Sequence, residues 1–185
     1  EFIDIPMAKP DIGEAEENAV LDVLKSGWLG QGKKTKKFEE QLSEYFSSNA
    51  IAVFNGSSAI MCALLAHGIK PGDNVVVPNF TFMSTASVPK ILGANIIPID
   101  IDPHTLNLDL VALETELKQK KIHFVIFVDV AGLANDVDQL IELSKKYDFI
   151  LIEDAAEALG SEYKNKKIGS FEHSSIFSFH IAKVI

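Results

Sequence analysis

His123-Phe-Val-Ile-Phe-Val-Asp-Val130 and Phe149-Ile-Leu-Ile-Glu-Asp154 are unbroken apolar runs, each with an acid near its carboxyl end. Continuous β-branched and aromatic runs of this length predict strands buried on both faces. The segment between them carries Val137, Leu140 and Ile141 at helical spacing behind Asn135, which is expected to cap that helix. Strand, helix, strand is the pattern of a parallel crossover. The same alternation extends outward. Upstream lie Asn95-Ile-Ile-Pro-Ile-Asp-Ile101, Val75-Val-Val-Pro78 and Ile51-Ala-Val-Phe54, and downstream lies 175–179 after a hairpin-like excursion over 160–170. Helices are expected over 13–26, with Ala15, Ala19, Val20, Val23 and Leu24 on one face, and over 35–47 through Phe38, Leu42, Tyr45 and Phe46. Others are expected through Ala59, Ile60, Ala63 and Leu64, near 84–93, and from an Asp109 cap to about Lys120. The fold class is therefore α/β, a mostly parallel sheet covered on both faces.

The totals fit a folded chain. It has 185 residues, 47% hydrophobic and 23% charged. A net charge of −9 argues against sequence-independent nucleic-acid binding, which needs a basic surface. No apolar run reaches the roughly 20 residues of a membrane span. Cys62 is the single cysteine, so no internal disulfide is possible and a cytoplasmic location is the expectation. Its apolar helical neighbours predict a small core residue. The lysine clusters at 118–121 and 164–167 read as solvated helix ends and a turn. The one at 33–37 adjoins a glycine-rich segment and leaves room for an anionic ligand. The five histidines have no metal-ligand spacing, so no metal site is expected.

In open parallel sheets, ligands sit beyond the carboxyl ends of the strands. Gly56-Ser57-Ser58, Phe80-Thr-Phe82, Asp129, Asp154 and Lys183 all fall just past expected strand ends. The Asn55-Gly-Ser-Ser-Ala59 turn opens a helix, and its backbone N–H groups and hydroxyls suit a phosphate; a plain capped helix start explains it equally well alone. Phe82 suits stacking on a flat ring, or a place in the core. Asp154 closes an apolar strand and needs a partner, either a protonated ring nitrogen or a helix N-terminus. Lys183, among Ile181, Ala182, Val184 and Ile185, suits a nucleophilic amine or a snorkelling surface lysine. Ser178, five residues earlier, offers a hydroxyl to a phosphate. A lysine and an acid at two strand ends can grip the two poles of a pyridine aldehyde, the minimal equipment for pyridoxal 5'-phosphate. Asp100-Ile-Asp102 resembles the nucleophile motif of aspartyl-phosphate phosphatases, but Pro103 and His104 depart from it.

Together these segments resemble the DegT/DnrJ/StrS family of pyridoxal-phosphate-dependent sugar aminotransferases. The resemblance begins at Gly27-Trp28 with Gly30-Gln-Gly32. It continues through Asn55-Gly-Ser-Ser-Ala59, Pro71-Gly-Asp73, Val77-Pro-Asn-Phe-Thr-Phe82, Asp100-Ile-Asp-Pro103, Asn107-Leu-Asp109 and Ile152-Glu-Asp-Ala-Ala-Glu-Ala158, and ends at Phe177-Ser-Phe-His-x-x-Lys183. It implies the three-layer α/β/α large domain of fold-type-I pyridoxal-phosphate enzymes. It also implies a Schiff base on Lys183, Asp154 at the pyridine nitrogen, Phe82 on the ring, and Gly56, Ser57, Ser58 and Ser178 at the phosphate. Glu157 matches a position, commonly Gln, at the phenolic oxygen. Trp28 and Asp129 are expected toward the substrate; Asp129-Val-Ala-Gly132 departs from a His and an aromatic residue common in relatives.

The implied reaction is transamination of a nucleotide-linked keto-sugar by an amino-acid donor, typically glutamate, in a homodimer with a shared active site. Family members are roughly twice this length. The chain is thus expected to be the N-terminal portion of the large domain, 1–185, with the C-terminal part and the small domain outside it. A sugar dehydratase of the same family, where histidine tends to replace the lysine, and a non-catalytic regulatory relative are the alternatives. The phosphatase is a weaker one.

Overall fold

The computed structural model describes residues 9–183. They form two compact units, 9–52 with 180–183, and 53–179.

The second unit holds a five-stranded, wholly parallel sheet. Its strands are β1 (Asn74–Pro78), β2 (Asn95–Ile99), β3 (Phe124–Val128), β4 (Ile150–Asp154) and, after the hairpin of β5 (Glu162–Tyr163) and β6 (Lys166–Lys167), β7 (Ser174–Ile176). The order is β2-β1-β3-β4-β7. It reverses at β1, which places a crevice beyond the carboxyl ends of β1 and β3. The hairpin turns through Lys164 and Asn165, both at positive φ (50° and 63°), as a two-residue hairpin requires.

Helices cover both faces. Val75, Val77, Phe124, Ile126, Ile152 and Ile176 pack against α3 (Gly56–Ala66) and α4 (Ser84–Ile91) through Ile60, Leu64 and Val88. Val76, Ile99, Val125, Phe127 and Leu151 pack against α5 (Leu110–Gln119) and α6 (Val137–Tyr147) through Leu113, Leu117, Leu140 and Leu143. Alternate strand residues go to opposite layers, the period-2 rule of the pleat. The result is a three-layer α/β/α unit.

The first unit contains α1 (Glu14–Ser26) and α2 (Lys33–Phe46). The Gly13 N–H donates to Glu16 Oε2 at 2.8 Å and fixes the start of α1. Of the two helices' side chains only Phe46 is buried.

Several expectations need correction. Ile51–Phe54 is not a strand: no ladder partner stands beside it among the described residues, and Phe54 is 99% exposed. An apolar run becomes a strand only where a neighbour takes its backbone hydrogen bonds. The face of α1 expected to be inward is open, with Val20 and Leu24 exposed. Cys62 is exposed, on the side of α3 away from Ile60 and Leu64. The run 123–130 yields only a five-residue strand, because Val130–Gly132 turn into a 3-10 segment. Asn135 is not the cap of α6. Asp136 is, accepting from the Gln139 N–H, while Asn135 is drawn inward by Asp129 and by the Val128 carbonyl. Val184 and Ile185, expected to flank Lys183, lie outside the described residues.

Candidate active site

Asp154 ends β4 on the α4 side of the sheet, the side of Ile152. It is 5% exposed. Its Oδ2 accepts from Thr85 Oγ1 at 2.9 Å and its Oδ1 from the Ala156 N–H at 3.2 Å. Thr85, on α4, is itself buried, and its hydroxyl meets that of Thr81 at 2.9 Å. A carboxylate offers about four acceptor sites, so a protonated ring nitrogen is a compatible further donor. The sequence does not single out Thr85. Its only local trace is Thr81 four residues ahead of it, which no periodic pattern singles out.

The α3 start brings two expected groups together. Asn55 Oδ1 accepts from the Ser58 N–H at 2.8 Å and caps the helix. The N–H groups of Gly56 and Ser57 meet no acceptor among the described residues. A Cβ placed on Gly56 would stand 3.8 Å from the Ser178 Cβ, so Ser178 lies against this helix end although it is far away in sequence. Open N–H groups, a positive helix end and adjacent hydroxyls fit a phosphate.

Phe82 follows β1 and is 70% exposed, with Phe80 and Met83 also open. Its ring is available to a flat ligand and takes no part in the core. Glu157 Oε2 accepts from the Ala131 N–H at 2.9 Å, which ties the segment after β4 to the loop after β3. That loop is tightly turned, with φ of 51° at Ala131 and 79° at Gly132. A side chain on Gly132 would press on Ser161 Oγ and the Glu157 carbonyl at 3.1 and 3.2 Å. Asp129 is fully buried, with Asn135 on its Oδ1; its carboxyl faces protein rather than an accessible surface.

Lys183 and Trp28 belong to the other unit. Lys183 is half-buried, and its N–H donates to the His180 carbonyl at 2.8 Å. Trp28 is 67% exposed, and its Nε1 donates to the Gln31 carbonyl at 3.0 Å. The indole lies so close over Gly32 that no Cβ fits there.

Asp100 and Asp102 serve a turn. Asp100 Oδ1 accepts from the Ile101 N–H and from Asn79, and these bonds hold its carboxyl below the ordinary range. Asp102 Oδ1 accepts from the Thr105 and His104 N–H groups, which lower it likewise. This chain reversal sets Ile101 beside Leu108.

The sequence profile of the DegT/DnrJ/EryC1/StrS aminotransferase family matches residues 10–185. The chain belongs to this family. An uncharacterized protein of Methanocaldococcus jannaschii is 37% identical over 182 residues, covering 98% of this chain and 47% of that protein. A Streptococcus pneumoniae structure described as a sugar aminotransferase, in its pyridoxamine-phosphate form, superposes with a TM-score of 0.92 at 34% identity. It covers 98% of this chain and 50% of that one. The Escherichia coli GDP-4-keto-6-deoxy-D-mannose-3-dehydratase, with bound hydrated pyridoxal phosphate, superposes at 0.83 with 27% identity, over 92% and 46% of the two chains. The chain thus spans about half the length of the relatives it matches. The Streptococcus pneumoniae structures include pyridoxal-phosphate and pyridoxamine-phosphate forms, and the α3 start and Asp154 of this chain are chemically suited to the two ends of such a cofactor. No helix among the described residues is long and apolar enough to cross a membrane.

Proposed function

We propose that the protein transfers an amino group from an amino-acid donor, glutamate by family resemblance, to a nucleotide-linked keto-sugar, as a cytoplasmic homodimer with a shared active site. The observation that carries this reading is the buried Asp154, oriented by Thr85 at the carboxyl edge of the sheet that also bears the α3 start. When bound, the cofactor supplies an electron sink for the transfer. Lys183 would hold it covalently and, as a free amine, would move a proton as a base. Asp154 keeps the ring nitrogen protonated. Gly56, Ser57, Ser58 and Ser178 hold the phosphate, and Phe82 covers a ring face. Glu157, fixed by the Ala131 N–H, stands toward the phenolic oxygen. Trp28 serves the substrate side. Asp129, expected there too, bears on the substrate only through the loop it anchors.

Borohydride reduction of the full-length protein followed by peptide mass spectrometry tests this. One cofactor adduct is expected on Lys183, and it should vanish in Lys183→Ala. An adduct that persists in the variant, or none in the parent, overturns the assignment. The dehydratase neighbour supports a second reading, sugar dehydration. Lys183 favours transfer, and glutamate consumed one-for-one with aminated sugar separates the two.

A further inference from the structure

The face of β4 opposite Asp154 holds side chains that the cofactor reading leaves unused. The parallel register pairs Phe127 with Glu153 and Val128 with Asp154. Side chains alternate across the sheet, so Phe127, Asp129 and Glu153 project to one side and Asp154 to the other. Asp129 and Glu153 are both fully buried.

Their hydrogen bonds do not close. Asp129 Oδ1 accepts from the Asn135 N–H at 3.0 Å and from Asn135 Nδ2 at 2.9 Å, while Oδ2 has no donor among the described residues. Glu153 Oε2 accepts from Ser175 Oγ at 2.5 Å, and Oε1 has no donor. His173 lies nearest, its Nε2 at 3.4 Å from Glu153 Oε2. Its ring stacks on Phe171 and meets Phe127 edge-on, and neither ring nitrogen makes a hydrogen bond. Two ionised carboxylates against at most one imidazolium leave net negative charge in an apolar wall, with two orphaned acceptor oxygens. Such burial is costly unless a proton neutralises it. A proton also turns one acid into a donor for the other.

We propose that Asp129 and Glu153 share a single proton and act as a positioning pair that holds the carboxyl ends of β3 and β4 together. Burial, and after it the facing Glu153 carboxylate, push Asp129 up to about 7, the direction that geometry demands. The other titratable groups nearby are engaged: Glu157 by the Ala131 N–H, and Asp136, at the start of α6, by Tyr163 and the Gln139 N–H. The Asp129 N–H donates to the Asp154 carbonyl at 3.2 Å. The shared proton therefore lies beside the backbone that presents Asp154 and beside the loop that Glu157 grips. As pH rises through neutrality the proton leaves to solvent, the two anions repel, and the strand ends loosen. The acid pair stands without any assignment of activity; only its bearing on Asp154 rests on the cofactor reading.

Infrared spectroscopy of the full-length protein tests the pair. At pH 6 the exposed carboxyls are ionised, so a carboxylic-acid carbonyl band is expected from the pair alone. It should titrate out through the neutral range as one group, be absent in Asp129→Asn and move to lower pH in Glu153→Gln. No such band in the parent, or an unchanged band in a folded variant, overturns the proposal. Positioning is read by amide exchange at Asp129 and Ala156, corrected for intrinsic rates. Protection should fall about tenfold between pH 6 and 9 in the parent and stay level in Asp129→Asn; equal falls in both overturn it. Neither readout requires cofactor, so a band without an adduct on Lys183 would retain the pair and sink the transaminase reading instead.

Discussion

Thr85 decides how Asp154 is presented. If its hydroxyl donates to Asp154 Oδ2, its oxygen must accept from Thr81, so the two bonds polarise in one direction. Thr85→Val keeps the shape and removes the donor, leaving a buried carboxylate oxygen short of one partner. The expected cost is about 1–3 kcal/mol, read as a lower denaturant midpoint at unchanged slope. Thr85→Ser keeps the donor and should cost less, and a Thr85→Val variant as stable as the parent would show that the bond does not matter. Asp154 itself was legible, because an acid closing an apolar run stands out. Thr85 was not: Ser84-Thr-Ala-Ser87 carries no periodic signal, and its partner is 69 residues away. Glu153 and His173 were hidden for the same reason, since a burial partner across a sheet leaves no local trace.

At the scale of elements, what was legible follows from how local each cause is. β1, β3 and β4 are continuous Val, Ile and Phe runs that only a sheet buried on both faces accommodates. Asp109 was readable as a cap because it directly precedes an amphipathic run. Its Oδ1 accepts from the Val111 and Ala112 N–H groups at 2.9 and 3.0 Å. Asp109→Ala should therefore destabilise by about 1 kcal/mol in chemical denaturation, and Asp109→Asn should restore most of that. A variant as stable as the parent would mean that solvent replaces the cap without cost. Asn135 and Asp136 are adjacent and equally good caps by type, and only Asp129, arriving from β3, decides between them. Ile51–Phe54 has strand chemistry without a strand neighbour, which no reading of four residues reveals.

The whole molecule carries two opposing pH dependences. Glu114, with Lys146 and then Tyr147 on its carboxylate, is lowered to about 2, and Asp100, Asp102 and Asp136 are lowered by their own donors. A depressed carboxyl stabilises the fold above its unfolded pKa and loses that contribution as pH falls through its folded value. These groups are open to solvent, so their joint effect is small and confined to acid. Asp129 works the other way. Raised to about 7, it binds its proton more tightly in the fold than in the unfolded chain. Its stabilisation is complete below the ordinary carboxylate range and is lost as pH rises toward and through about 7. The gap between 3.8 and about 7 corresponds to an effect on the order of 4 kcal/mol, spread over that range. Stability should therefore peak on the acid side of neutrality and decline toward pH 8, although a chain of net charge −9 gains self-repulsion only gradually there. Urea unfolding from pH 4 to 9 measures this directly. Asp129→Asn cannot lose that proton, so its curve should stay level across the range where the parent declines. A parent as stable at pH 8 as at pH 5 would mean that no carboxyl in the fold holds a proton near neutrality.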